Sequence, residues 1–179
     1  MSVEAATAPA DPFEEPVSDL SGLLGKHIMY TYTNGWSYEL YYKNSETIDY
    51  HVRSGPIQGR MVKGQKATIK RFKTARRSHG SPVYMVSWVE PTGTCVTQVL
   101  NVHDLEVNTT IFFPDWVMKE PQKTVCFLND HLDEIHGYRN RGPTYPIHPK
   151  VMFGKMFFVE DCPLNDENII NLHTPTPMR

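Results

Sequence analysis

The chain has 179 residues, about one domain's worth, and 40% of them are hydrophobic, enough for a core that needs neither disulfide nor metal staples. Its 18 Lys and Arg against 20 Asp and Glu leave a net charge of −2, which argues against a dedicated nucleic-acid binder, whose footprint is a basic surplus. No run approaches the ~18 apolar residues that a membrane-spanning helix needs.

Met1 to Leu20 carries Glu4, Asp11, Glu14, Glu15 and Asp19 but no Lys or Arg and no apolar stretch. It reads as a disordered acidic tail over 1–20, not as a secretory signal or an Arg-rich transit peptide. The expected location is therefore cytoplasmic. Cys95, Cys126 and Cys162 are odd in number and widely spaced, which fits reduced thiols better than a disulfide framework.

From residue 27 the dominant period is two, which means strands. His27 to Thr33 and Trp36 to Tyr42 flank Asn34-Gly35, a hairpin signal that predicts a two-residue type I′ turn with φ > 0 at both positions. Further strands are expected over Thr47–Arg53, Arg60–Lys63, Ala67–Phe72, Val83–Val89, Thr94–Val102, Val107–Phe113 and Val151–Val159. Pro114 is placed to open a short helix through Trp116 and Val117. Asn129 or Asp130 is the expected cap of a second helix, running to about Arg139 before Gly142-Pro143 stops it. Residues 163–179, ending in Thr174-Pro175-Thr176-Pro177, read as a loose tail. A mainly β domain over 21–162 follows, a small antiparallel barrel with two short helices. Eight or so strands close around room for one small ligand.

Three groups of residues could carry chemistry. Tyr30 and Tyr32 stand at i and i+2 on one strand face. They are either two phenols aimed at one carboxylate or simply good strand residues. Trp36 and Tyr38 share that face only in some hairpin registers, and a two-residue turn puts them on the other. Arg60 follows the turn Gly55-Pro56-Ile57-Gln58-Gly59, and Glu90 ends a strand on the face of Val86 and Trp88. They make either a buried ion pair, which favours an ionised base, or a rim salt bridge of little worth. No spacing rule joins residues thirty apart. The basic run Lys70 to Arg77 reads as a solvated loop. His131 and His136 are five apart, off the i, i+4 spacing of a zinc helix. No phosphate-binding glycine loop and no G-x-S-x-G elbow is present, so the chemistry is expected to need neither a nucleotide cofactor nor a metal.

The motifs Gly25-Lys26-His27-Ile28-Met29-Tyr30-Thr31-Tyr32-Thr33-Asn34-Gly35-Trp36, Thr47-Ile48-Asp49-Tyr50 and Ser54-Gly55 through Arg60 resemble those of the phenolic acid decarboxylases. The resemblance continues through Ser87-Trp88-Val89-Glu90-Pro91-Thr92-Gly93-Thr94, Ile111-Phe112-Phe113-Pro114-Asp115-Trp116-Val117, Thr124-Val125-Cys126-Phe127 and Gly142-Pro143-Thr144-Tyr145-Pro146. It implies a lipocalin-like barrel, a homodimer, and a carboxy-lyase without cofactor or metal that turns p-coumaric, ferulic and caffeic acids into 4-vinylphenols and carbon dioxide. Carried over residue by residue, it implies catalytic roles for Tyr30, Tyr32, Arg60 and Glu90. It also implies that Trp36, Tyr38, Ile111 and Phe113 line the substrate pocket. Glu90, helped by Arg60, would take the phenol proton, the tyrosines would hold the carboxylate, and protonation of the α-carbon would give a quinone methide. No nucleic acid or membrane partner is implied. The chain departs from the family pattern at Cys95 and Met152, where acidic residues are common, and in an extended loop over 71–81. A barrel that only carries small phenolics is the alternative from another class.

Overall fold

The computed structural model describes residues 19–72 and 81–172. The expected acidic tail falls, up to residue 18, outside the described residues, as do 73–80 of the extended loop and 173–179. Among the described residues nine strands form one antiparallel sheet: β1 (Lys26–Tyr32), β2 (Ser37–Tyr41), β3 (Thr47–Val52), β4 (Met61–Lys66), β5 (Thr68–Arg71), β6 (Tyr84–Val89), β7 (Cys95–Asn101), β8 (Glu106–Phe113) and β9 (His148–Asp161). Their order is β4-β3-β2-β1-β9-β8-β7-β6-β5.

The two edge strands, β4 and β5, are neighbours in sequence with only Ala67 between them. The sheet must therefore curl until its edges approach each other, and Gln65 Nε2 crosses this seam to the Val89 carbonyl at 3.1 Å. The product is a nearly closed barrel of lipocalin-like form, with the core inside it. Its inner face follows from alternation: Tyr84, Val86 and Trp88 of β6 are buried while Met85 and Ser87 between them are half-buried. β8 repeats this with Val107, Thr109, Ile111 and Phe113.

β2 and most of β1 and β3 are buried on both faces. Part of their outer face is covered by residues 163–172, which the sequence suggests are loose. In the structure that part of the tail is tied down. Tyr41 donates its hydroxyl proton to the Pro163 carbonyl, Lys43 pairs with Glu167, and Ile170 is fully buried in a small cluster with Tyr41 and Met61.

The β1–β2 hairpin also differs from expectation. Tyr32 N–H donates to the Trp36 carbonyl at 2.8 Å, and Gly35 N–H donates to the Tyr32 carbonyl at 2.9 Å. The loop is thus Thr33-Asn34-Gly35, three residues and not two. Only Gly35 has positive φ, at 88°, so no type I′ turn forms. Asn34 instead spends its side-chain oxygen on Trp36 N–H at 3.1 Å, an Asx turn. The odd loop sets Tyr30 directly opposite Tyr38, and directly paired residues share a face.

Both expected helices are present, slightly displaced: α1 (Asp115–Lys119) and α2 (Leu132–Arg141), joined by the 3₁₀ turns Pro121–Thr124 and Leu128–Asp130. Pro114 is the residue before α1, with extended ψ of 149°, and not its first helical residue. His131, without a side-chain cap bond, occupies the position expected of Asn129 or Asp130. Asn129 is committed elsewhere, bonding both N–H and C=O of Lys63 at 2.9 Å. His131, just before α2, is exposed, as a solvated face requires, while His136 within the helix is half-buried.

Candidate active site

A narrow cavity of about 20 Å³ lies inside the barrel. Glu90 and Arg60 form one polar group in its wall. Glu90 follows β6 in a tight turn closed by Glu90 N–H to the Thr94 carbonyl and Gly93 N–H to the Glu90 carbonyl, with Gly93 at φ 84°. Arg60 leaves the 55–59 turn just before β4 and is fully buried. Its Nη1 donates to Glu90 Oε2 at 2.8 Å, and Thr92 Oγ1 adds a bond to the same oxygen at 3.2 Å. The other two guanidinium nitrogens are held by Thr124, Nε on its carbonyl at 3.2 Å and Nη2 on its hydroxyl. The two residues thirty apart are a buried pair, not a rim salt bridge.

The helical insert braces this pair. The 3₁₀ turn supplies Thr124, and α1 supplies Trp116, whose Nε1 donates to the Thr92 carbonyl at 3.2 Å. Both ends of the ion pair are thereby fixed by segments outside the barrel strands.

Tyrosines form the second polar group. The Tyr30 and Tyr32 hydroxyls lie 3.2 Å apart. Gln98 Nε2 donates to Tyr30 Oη at 2.7 Å, and Tyr42 Oη donates to Gln98 Oε1 at 3.1 Å. Tyr38 stacks on Tyr30 with ring centroids 5.9 Å apart and meets Tyr32 edge-on at 5.4 Å. Tyr32 lines the cavity, and Tyr30 stands behind it. Burial above all pushes the Tyr32 phenol up to about 12, and burial followed by the neighbouring Tyr32 raises Tyr30 well above the usual phenol range. Burial raises Tyr38 and Tyr50 as well. All four therefore stay protonated and can act as donors across the working pH range.

Of the expected pocket residues, Tyr38, Ile111 and Phe113 line the cavity and Trp36 does not. Its indole covers the 55–59 turn, where a Cβ added to Gly55 would lie 2.9 Å from Trp36 Cγ. Tyr50, Trp88, Gln98 and Thr109 line the cavity too but are not marked as site residues by the sequence reading. For Gln98 and Thr109 a signal exists. Each is a polar residue on the apolar half of an alternating strand, between Val96 and Leu100 in one case and Val107 and Ile111 in the other. Tyr38 Oη, Tyr50 Oη, Trp88 Nε1 and Thr109 Oγ1 are buried without a hydrogen-bond partner. Buried polar atoms are rarely left so, and all four of these residues line the cavity. Cys95 is exposed, so that departure does not reach the cavity. Met152 faces inward in the core, with Asn34 Nδ2 on its sulfur at 3.3 Å, but does not line the cavity.

This geometry offers a buried acid–base pair, a set of neutral phenol donors and an apolar wall between them. The family model described as phenolic acid decarboxylase matches residues 20–178. The chain is 47% identical over 154 residues to the probable phenolic acid decarboxylase of Vibrio cholerae serotype O1, an alignment covering 86% of this chain and 84% of the relative. It is 38% identical over 152 residues to phenolic acid decarboxylase PadC of Bacillus subtilis strain 168, covering 85% and 90% respectively.

Proposed function

The chain belongs to the phenolic acid decarboxylase family and is a carboxy-lyase, and on that premise we propose that it converts p-coumaric, ferulic and caffeic acids to 4-vinylphenols and carbon dioxide without a cofactor. The observation that carries this reading is the buried Arg60–Glu90 pair sharing one apolar cavity with the Tyr32 phenol.

Direct loss of carbon dioxide from an alkenyl carbon would leave an unstabilised vinyl anion. A phenol in the para position offers another route. Glu90 takes the phenol proton while the Arg60 guanidinium stabilises the developing phenolate. Electrons move through the ring to the α-carbon, which takes a proton from Tyr32, and a quinone methide results. The bond to the carboxylate then breaks, its electron pair restores the aromatic ring, and Glu90 returns its proton to the phenolate product. Water reprotonates Tyr32, so one solvent proton is consumed per turnover. Within the tyrosine pair, Tyr30 already accepts from Gln98. Its own proton is then directed at Tyr32, which leaves the Tyr32 proton facing the cavity. Tyr32 holds the substrate carboxylate before it gives up its proton, and Tyr30 supports it from behind by donating to its oxygen.

The opposite orientation, with the carboxylate on Arg60, is disfavoured by the bonding of that side chain. Its three nitrogens are already engaged by Glu90 and Thr124, and a second carboxylate there would face Glu90. Exposed Phe112, Val151 and Phe153 on the outside of β8 and β9 support a homodimer, and no helix among the described residues is long and apolar enough to cross a membrane, in keeping with a cytoplasmic enzyme acting on a small-molecule substrate.

The test is an ultraviolet scan of the purified protein with p-coumarate and no added cofactor or metal, followed by chromatography. The expected result is 4-vinylphenol, with Glu90→Gln slowed by about 10²–10⁴-fold, the usual worth of a general base. Recovery of the acid unchanged, with ferulate and caffeate equally inert, would contradict the proposed substrates.

A further inference from the structure

We propose that His27, Glu160 and Cys162 form a zinc-binding site on the outer wall of the barrel, bridging β1 and β9 away from the substrate cavity. His27 and Glu160 are directly opposed across the β1–β9 pair. Cys162 lies two residues beyond Glu160 and so returns to the same face, and its backbone N–H is fixed on the Gly25 carbonyl at 2.8 Å. The three ligand atoms all lie within 4.8 Å of one another. His27 Nδ1 stands 3.6 Å from Glu160 Oε2, and Cys162 Sγ stands 3.8 Å from the same oxygen. Zinc held at about 2.0–2.1 Å from N and O and about 2.3 Å from S in a tetrahedron needs edges of roughly 3.3–3.6 Å. The two edges at Glu160 thus need a shift of only a few tenths of an ångström, and the third, between His27 and Cys162, closes from within 4.8 Å. An ordinary hydrogen bond between His27 and Glu160 would need the pair to be closer than it is.

The second observation lies behind the imidazole. His27 is more than nine-tenths buried, and its Nε2 lies 2.8 Å from Oε1 of buried Glu39. Glu39 is itself in an ion pair with Arg53, so its carboxylate is the acceptor and the imidazole proton sits on Nε2. The Nδ1 lone pair then points at Glu160 and Cys162. A carboxylate holding the far nitrogen of a histidine is the arrangement that orients metal-ligating imidazoles and raises their basicity. The edge of the Phe158 ring, 5.1 Å from the imidazole centroid, closes one side. A mixed N, O, S donor set of three residues suits Zn²⁺, with water as the fourth ligand. On binding, Cys162 gives its proton to solvent and ligates as thiolate. The metal would staple the end of β9, where the 163–172 segment begins, to the start of the strand that carries Tyr30 and Tyr32.

Cobalt titration of the full chain tests this, because a thiolate ligand gives a sulfur-to-cobalt charge-transfer band and a tetrahedral site gives strong visible bands. The expected result is one equivalent bound with both signatures, displaced by Zn²⁺, and a melting temperature raised by Zn²⁺. Cys162→Ser should remove the charge-transfer band, Glu160→Gln should weaken binding tenfold or more, and Cys95→Ser and Cys126→Ser should change neither. These side chains are half-buried or exposed, so the variants fold. Absence of the band in the unaltered chain, its survival in Cys162→Ser, or its loss in Cys95→Ser or Cys126→Ser would overturn the proposal.

Discussion

Gln98 accepts from Tyr42 and donates to Tyr30, so one amide sets the direction of a buried chain of phenols. Replacing it with Leu of similar volume strands the Tyr42 hydroxyl, at about 1–3 kcal/mol, and leaves Tyr30 with Tyr32 alone. We expect Gln98→Leu to fold, to lose stability on that scale in urea titrations, and to show a lower kcat with a smaller change in KM. An unchanged kcat would mean that the direction of the Tyr30 proton does not matter. Tyr30, Tyr32, Arg60 and Glu90 are singled out in the sequence because they stand in long motifs shared with a family. That Arg60 and Glu90 touch is not legible, since thirty residues and two turns separate them. Gln98 shows in the sequence only as a polar intruder in an apolar half-strand, and its two partners come from other strands. Trp36 illustrates the converse: its motif is clear, but its indole packs on Gly55 instead of the cavity.

At the scale of elements, all nine strands follow from alternation and turn chemistry, and their boundaries move by only a few residues. The hairpin loop does not follow. Asn34-Gly35 has the composition of a two-residue turn, yet the Asn34 side chain caps Trp36 N–H and Thr33 joins the loop. That single added residue puts Tyr38 inside the barrel with Tyr30 and Tyr32. The insert after β8 has its own task, holding Arg60 through Thr124. Thr124→Val removes the hydroxyl while keeping the shape. We expect about 1–3 kcal/mol of lost stability, because a buried guanidinium nitrogen loses its partner, and a clear drop in turnover. If turnover held at the native level, Arg60 would not need its fixed position.

For the molecule as a whole, β2 and most of β1 and β3 are buried on their outer face as well as in the core, and residues 163–172 cover part of that face. Their Pro, Asn and Asp content reads as a tail, and only contact with Tyr41 and Met61 explains why Ile170 is buried. Ile170→Ala should cost about 2–5 kcal/mol, read as a lower urea midpoint at unchanged slope, with turnover preserved. A negligible change would show that the segment does not contribute to stability. His51 lies on the same outer face with an unpartnered Nδ1. Burial first, then the Arg53 charge, lower its imidazole to about 4, against a weaker opposing effect of Glu39. The unfolded chain, with His near 6.5, then binds more protons than the folded one between those values, so this residue costs stability as pH falls from about 6.5 to 4 and nothing above. His51→Asn should flatten the stability–pH curve in that window, measured against the unaltered chain. Curves that stay parallel would rule out His51 as the group responsible.

The most direct measurement of the chemistry is an NMR comparison of p-coumarate and its 4-methoxy analogue incubated with the enzyme in D₂O. If Glu90 must remove a phenol proton before the α-carbon is protonated, p-coumarate gives 4-vinylphenol carrying one deuterium on its terminal vinyl carbon, and the methoxy compound is returned unchanged. Decarboxylation of both at comparable rates would contradict the assignment of Glu90 and Arg60 as the groups that open the reaction.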